Sequence, residues 1–230
     1  MSTDNATSHA AAAYDEGVRQ TVPFYEILQW QTLDLVQSVK PDPACWLDTG
    51  CGTGYLVELA LPRFPQTHFI LADPSVAMLE QARQRFAGQP GPRVEFWPPL
   101  PSEKLSTRQP EEKPQVITAL MCHHYLQPPE RRRAVQACHD LLDADGLFVV
   151  FETIELTTSE GTSIGLKRWA NFQLGVGRST SAVETHLQRF KIDILPLSVE
   201  AHMALLKSAG FRTVEHFWLS QMQAGFYAIK

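Results

Sequence analysis

The chain is poor in cysteine, in long apolar runs and in excess charge of either sign. Its 20 Lys+Arg stand against 25 Asp+Glu, a net charge of −5, so it lacks the basic footprint of sequence-independent nucleic-acid binding. The run Arg131-Arg132-Arg133 is the only basic cluster of note, and it reads as a solvated helix face. The four cysteines, Cys45, Cys51, Cys122 and Cys138, form no C-x-x-C pair. No disulfide framework is expected, and a reducing, cytoplasmic setting is. No stretch reaches the roughly 18 apolar residues of a membrane-spanning helix. Met1 to Ala13 have neither a basic start nor an apolar centre, so no signal peptide is expected and the segment reads as frayed.

What is present is an ordinary globular balance: 230 residues, 44% hydrophobic and 20% charged. That excludes a wholly disordered chain. Short apolar runs alternate with helical spacing, the mark of a parallel sheet covered by helices. A helical stretch from Tyr14 to Gln37 breaks near Pro23. Strands are expected at 45–48, 68–72, 94–97, 116–121 and 147–151, the fifth apolar on both faces. Residues 98–114 hold five prolines and read as an irregular surface loop. After strand five come two helical stretches near 164–175 and 181–190. A helix capped by Ser198 and closed by Gly210 follows, then two strands around 212–219 and 222–229.

The chemistry concentrates between the first strand and its helix, in Leu47-Asp48-Thr49-Gly50-Cys51-Gly52-Thr53-Gly54. Glycines allow positive φ there and let a ligand approach the backbone. The helix behind them offers free N–H groups and a positive dipole end. An acid, Asp73, ends the second strand 25 residues after Asp48, placed to accept from two ribose hydroxyls. Two ligands fit, a dinucleotide or S-adenosylmethionine. The dinucleotide pattern G-x-G-x-x-G is not met, because Tyr55 stands where its third glycine would. Asp48 would repel a pyrophosphate but could accept a bond from an ammonium group, which favours a cofactor with an amino-acid tail.

These residues resemble the class I S-adenosylmethionine-dependent methyltransferases. Leu47 to Gly54 match their first motif, Asp73-Pro74-Ser75 with Met78 the acidic end of their second strand, and Leu120 to Leu126 their fourth-strand ending. The resemblance implies an α/β, Rossmann-like fold with a seven-stranded, mostly parallel sheet and an antiparallel last strand. It implies one domain over 14–230, with a helical lid near 153–197 and a flexible segment 1–13. It also implies a cofactor site of Asp48, Gly50, Cys51, Gly52, Gly54, Asp73, Pro74, Met78 and Leu120. Many such enzymes carry an acid after strand three. Here Trp97-Pro98 follows, so adenine is expected on backbone groups with Met78, Trp97 and Pro98 around it.

A narrower likeness links Val22-Pro23-Phe24-Tyr25, Ser198 to His202 and Ala209-Gly210-Phe211 to carboxy-S-adenosylmethionine synthases and related small-molecule methyltransferases. It implies that Tyr25 and Arg189 reach the ligand. Leu120 stands where that family has asparagine. The function expected is methyl transfer to a small molecule. The alternatives are carboxymethyl-sulfonium formation or a non-catalytic cofactor-binding module.

Two catalytic candidates remain. One of His123 and His124 should lie at the mouth of the crevice, with His124 the choice for a proton-accepting role. Arg189 facing the acceptor would favour an anionic one. Adjacent histidines point in different directions and no ligand cluster surrounds them, so no metal is expected. Tyr14, Asp15 and Arg19 could close over the cofactor, and Arg168, Trp169, Phe172 and Arg178 belong to the lid. No nucleic acid or membrane is expected as a partner, and a monomer and a homodimer are both open.

Overall fold

The computed structural model describes residues 4, 6–88 and 93–230. Five strands and the three helices between them come first: β1 (Cys45–Thr49), α3 (Tyr55–Ala60), β2 (His68–Ala72), α4 (Val76–Arg85), β3 (Val94–Phe96), β4 (Val116–Leu120), α5 (Pro128–Leu141) and β5 (Leu147–Thr153). Two helices precede them, α1 (Tyr14–Thr21) and α2 (Tyr25–Val39), parted at Pro23 as expected. After β5 come α6 (Ser159–Gly175), α7 (Thr180–Gln188), α8 (Val199–Ser208), β6 (Thr213–Ser220) and β7 (Gln223–Ile229). The sheet order is β3-β2-β1-β4-β5-β7-β6. β1 to β5 pair in parallel, and β7 runs antiparallel between β5 and β6.

The core lies on both faces of this sheet. Along β5, Phe148 and Val150 pack to one side, with Val135 and Cys138 of α5 and Leu206 of α8. Leu147, Val149 and Phe151 pack to the other, with Leu28, Leu33 and Val36 of α2 and Val57 of α3. Successive side chains of a strand point to opposite faces, so a strand covered twice must be apolar throughout. The caps fall where the sequence places them: Ser75 Oγ accepts from the Met78 N–H at 3.0 Å and Ser198 Oγ from Ala201 at 3.2 Å. Gly210 closes α8 at φ +102°.

Two expectations are corrected. The proline-rich loop is not wholly superficial. Residues 102–107 form 3₁₀ turns that bury Leu105 against Trp97 and Cys138, because the sheet face beside α5 needs an apolar cover there. Arg131 is not solvated. It is 3% exposed and donates to the carbonyls of His123, Leu126 and Leu195, whereas Arg132 and Arg133 face solvent. Of the N-terminal segment read as frayed, residues 1–3 and 5 lie outside the described residues, and the rest makes defined contacts. Asp4 accepts from Ser75 Oγ at 2.7 Å and from the Ala77 N–H at 3.1 Å, at the start of α4. The His9 ring lies edge-on to Tyr14 and packs on Gly17, where a Cβ would require the ring to move.

Candidate functional site

The carboxyl ends of β1, β2 and β4 open into a cleft of about 290 Å³. Its walls are Gly50 and Gly52 of the turn, Asp73, Pro74 and Met78 after β2, and Leu120, Met121, Cys122 and Tyr125 after β4. Tyr14 closes it from α1. Gly50, Gly52 and Gly54 all have positive φ, but for different reasons. A Cβ on Gly50 would meet Cys122 Cβ at 2.6 Å, and one on Gly54 would meet Phe86 at 2.8 Å. At Gly52 the nearest atom to such a Cβ is Tyr14 Cε1, 3.8 Å away. Gly54 is therefore required by packing and Gly50 by the approach of Cys122. Of the three, Gly52 alone has open space at its Cβ position, so a side chain there would project into the cleft.

Asp73 Oδ2 accepts from the Gly52 N–H at 2.9 Å and Oδ1 from Ser75 at 2.8 Å. A carboxylate has about four acceptor sites, so each oxygen keeps one toward the cleft. Burial pushes this carboxyl up to about 6 against the pull of the two N–H groups, and Asp4 adds to the rise. Asp48 is buried more deeply. Its Oδ1 accepts from Thr118 Oγ1 at 2.7 Å, and Thr118 Oγ1 in turn accepts from Trp46 Nε1 at 3.0 Å. Burial raises Asp48 to about 7, with Thr118 lowering it and Asp73 raising it further.

The remaining cofactor candidates divide. Tyr25 and Cys51 line a small annex of the cleft beside Asp48, with Tyr25 stacked on Tyr55. Trp97 and Pro98 do not line the cleft. Trp97 Nε1 donates to Glu95 Oε1 at 2.9 Å and its ring joins the core, while Pro98 is exposed. The strand turns Trp97 to the face of Glu95, two residues back, and the cleft wall on that side is Pro101 and Ser102 instead. Cys122 is half-buried in the cleft wall. Asp15 accepts from Thr53 Oγ1 at 2.6 Å and pairs with Arg85, which fixes α1 and Tyr14 over the glycine turn.

Tyr14, Met121 and Tyr125 also border a second cavity of about 30 Å³ beneath α6 and α7, with His124, Trp169 and His186 on its walls. Met121 takes φ +57°, a left-handed conformation for a non-glycine residue. The next turn is held from every side. Glu152 Oε1 accepts from the His123 N–H at 3.0 Å and Oε2 from the His124 N–H at 2.7 Å. The Leu195 N–H donates to His124 O at 2.7 Å, and Arg131 donates to His123 O at 2.9 Å.

The His124 ring takes a third bond from the same carboxylate, Nδ1 to Oε2 at 2.6 Å. The Thr153 N–H also points at Nδ1, at 3.3 Å. The short, charge-assisted contact outweighs the long one, so Nδ1 carries the proton and donates to Glu152. Burial opposes the Glu152 charge, yet His124 holds the carboxyl down at about 2. Nε2 is the nitrogen left for the cavity that His124 lines. His123 turns the other way, toward Phe148, and burial lowers it to about 4.

Glu152 is the functional residue that sequence reading missed. Its signal was an ionisable side chain directly after the apolar run of β5. Arg189 closes α7, pairs with Asp193 at 3.0 Å, donates to Ala6 O, and sets its guanidinium 5.7 Å from the Tyr125 ring. The surface pairing with Asp193 and the approach to the cleft therefore coexist. Among the described residues no His/Cys/Asp/Glu group has the arrangement of a metal site.

Residues 47–148 match the family model described as a methyltransferase domain. That segment is a class I, S-adenosylmethionine-dependent methyltransferase domain. Relatives include the carboxy-S-adenosyl-L-methionine synthases of Nautilia profundicola, 24% identical over 96% of this chain and 92% of that protein, and of Methylococcus capsulatus, 25% identical over 96% and 90%. Among solved structures, an O-methyltransferase family protein from Burkholderia thailandensis superposes with TM-score 0.65 at 16% identity, over 96% of this chain and 59% of that one. The chain thus spans well under two thirds of that structure. The plantazolicin methyltransferase BamL, solved with a desmethyl-plantazolicin analogue and S-adenosylhomocysteine, superposes with TM-score 0.66 at 16% identity, over 96% and 89%. These structures share the fold of this chain.

The residues present fit the cofactor. The cleft lies at the carboxyl ends of the strands, one glycine leaves its floor bare, and a buried carboxylate with spare acceptor sites stands where a ribose diol needs one.

Proposed function

We propose that this methyltransferase alkylates a small, anionic acceptor whose reacting atom enters the water-sized space between Tyr14, Tyr125 and the α6–α7 pair, which acts as a lid that parts to admit the rest of the molecule. The observation that carries the reading is the His124–Glu152 pair, buried with the His124 ring on the wall of the cavity. Bound S-adenosylmethionine supplies a methyl group on a sulfonium, already a good leaving group. The protein's work is then to orient, exclude water and move one proton. Asp73 orients the ribose, and the bare backbone at Gly52 lets the cofactor close on the turn. His124 takes the acceptor's proton at Nε2, and Glu152 stabilises the imidazolium that results.

Charge supports the anionic acceptor. No Asp or Glu lines the cavity among the described residues. Burial, and then the positive charges of Arg178 and Arg189, lower His186 to about 3, so both guanidiniums are felt there. The four free thiols fit the cytoplasmic setting. Among the described residues no helix is long and apolar enough to cross a membrane.

A second reading has its own support. The relatives named above are carboxy-S-adenosyl-L-methionine synthases. In that reading Arg189, over Tyr125, would hold the added carboxylate. Leu120 at the cleft, in place of that family's asparagine, weighs against it.

Mass spectrometry of the ligand that copurifies separates the two. S-adenosylmethionine or S-adenosylhomocysteine is expected. The carboxylated cofactor would establish the second reading, and a dinucleotide would overturn both.

A further inference from the structure

On α2, Tyr25 and Gln29 are one turn apart and face the glycine turn. With Tyr14, Asp48, Tyr55 and Leu120 they enclose the annex of the cofactor cleft, about 30 Å³ in volume. Tyr14, Gly50, Gly52 and Leu120 line both spaces, so the annex opens off the cleft.

Gln29 is 2% exposed, and its Oε1 has no hydrogen-bond partner among the described residues. A buried amide oxygen without a donor is rare in folded proteins and calls for an explanation. Asp48, 3% exposed, spends Oδ1 on Thr118 and turns to the same annex. The walls therefore hold a carboxylate and an orphaned carbonyl oxygen but no lysine or arginine.

Tyr14 and Tyr25 bring hydroxyls to these walls, but no side chain there carries a positive charge to answer Asp48, so the two acceptors suit a donor-rich cation. The space admits a group about the size of a water molecule and no ring. A primary ammonium, with three N–H donors and a positive charge, meets both conditions. A carboxylate in the same place would face Asp48 and be repelled.

We propose that Gln29 Oε1 and Asp48 together grip the α-ammonium of the cofactor's amino-acid tail, so that Gln29, on a helix outside the glycine turn, sets the affinity for that tail. The proposal rests on the cofactor reading above and adds a residue to it. Gln29 cannot be replaced by an apolar residue of the same shape without removing one of the ammonium's acceptors. The nucleoside end, held by Asp73 on the far side of the glycine turn, is untouched by such a change.

The test is calorimetric titration of wild type and Gln29→Met, both shown folded by circular dichroism, with two ligands. S-adenosylhomocysteine carries the ammonium, and 5′-methylthioadenosine keeps the nucleoside but has no tail. Gln29→Met is expected to weaken S-adenosylhomocysteine about tenfold, the loss of one charge-assisted hydrogen bond, and to leave 5′-methylthioadenosine within about twofold. Equal affinity for S-adenosylhomocysteine in the two proteins, or equal weakening of both ligands, overturns the proposal.

A second arm uses wild type alone, in case the variant does not fold. The analogue of S-adenosylhomocysteine with hydrogen in place of the amino group is expected to bind at least about tenfold more weakly, and parity would overturn the proposal. If wild type binds neither S-adenosylhomocysteine nor 5′-methylthioadenosine, the cofactor reading itself fails, an outcome distinct from failure of the Gln29 assignment.

Discussion

His124 and Glu152 meet through a single short contact, Nδ1 to Oε2 at 2.6 Å, while the same carboxylate takes the backbone N–H groups of His123 and His124. One buried charge thus fixes the turn, the ring orientation and the tautomer. Replacing it by Glu152→Gln keeps the shape and removes the charge. The neutral amide no longer favours an imidazolium, so methyl transfer should fall by a factor on the order of 10²–10⁴, the usual range for a lost general base. Affinity for S-adenosylhomocysteine should stay within about twofold. A folded variant with unchanged turnover on an identified acceptor would show that His124 carries no proton.

Acid sensitivity should come largely from buried imidazoles. Burial lowers His186 to about 3 and His202 to about 4. Both lie below the ordinary 6.5, so the unfolded chain binds protons that the fold excludes. That stability is present above pH 6.5 and is lost as pH falls through those folded values. His186→Phe keeps a ring edge-on to Trp169 and removes the titration. Its melting temperature at pH 5 should exceed wild type's, with little difference at pH 8, and a fall at both pH values would contradict the assignment.

Asp48 works in the opposite direction. Its folded value near 7 lies above the ordinary carboxyl value, so the ionised form is disfavoured in the ligand-free fold. The cost is absent below pH 4 and grows as pH rises toward 7. The groups facing Asp48 are Thr118 of β4, Asp73 after β2, Tyr25 and Gln29 of α2, and Tyr14 of α1. None of them is a cation. Asp48→Asn should therefore raise the melting temperature of the ligand-free protein at pH 8 and leave it unchanged at pH 3.5, while weakening S-adenosylhomocysteine. Melting scans at the two pH values decide this, and a lower melting temperature at pH 8 would count against it.

The glycines of the turn should separate binding from folding. Gly52→Val puts a branched side chain into the cleft, where only Tyr14 is near. It should abolish binding at a modest backbone cost of about 1–2 kcal/mol for left-handed φ. Gly54→Ala pushes a methyl into Phe86 and Leu71 and should chiefly destabilise. Parallel melts and titrations would expose an error if Gly52→Val unfolds while Gly54→Ala is tolerated.

Arg131 should behave as core. Arg131→Met leaves three carbonyls without their charged donor and should cost about 2–4 kcal/mol, measured by denaturant unfolding. Arg132→Ala and Arg133→Ala should each stay within about 0.5 kcal/mol. Equal effects at all three positions would restore the solvated-face reading.

Periodicity and placement carried much of this in the sequence. The alternation of apolar runs with helical spacing led to the five parallel strands. The glycines between β1 and α3, with Asp73 at the end of β2, located the cleft. What escaped depended on orientation. Trp97 follows a three-residue strand, too short for alternation to show which face it takes. Arg131 differs from Arg132 only by a 100° step around α5, and the charge run hides that phase. Glu152 and Thr153 extend β5 by two residues past its apolar stretch, where a carboxylate reads as a strand end until the histidines it serves are seen across from it. Gln29 has no motif at all and is marked only by its orphaned oxygen.

The central claim is that the cleft between the glycine turn and Asp73 holds S-adenosylmethionine. Isothermal titration of S-adenosylhomocysteine into wild type and Asp73→Ala tests it most directly. Wild type should bind one equivalent. The variant should lose the ribose bonds to a charged acceptor, about 1.5–3 kcal/mol, which is more than tenfold in affinity. No binding to wild type, or affinities within about twofold of each other, would contradict the account.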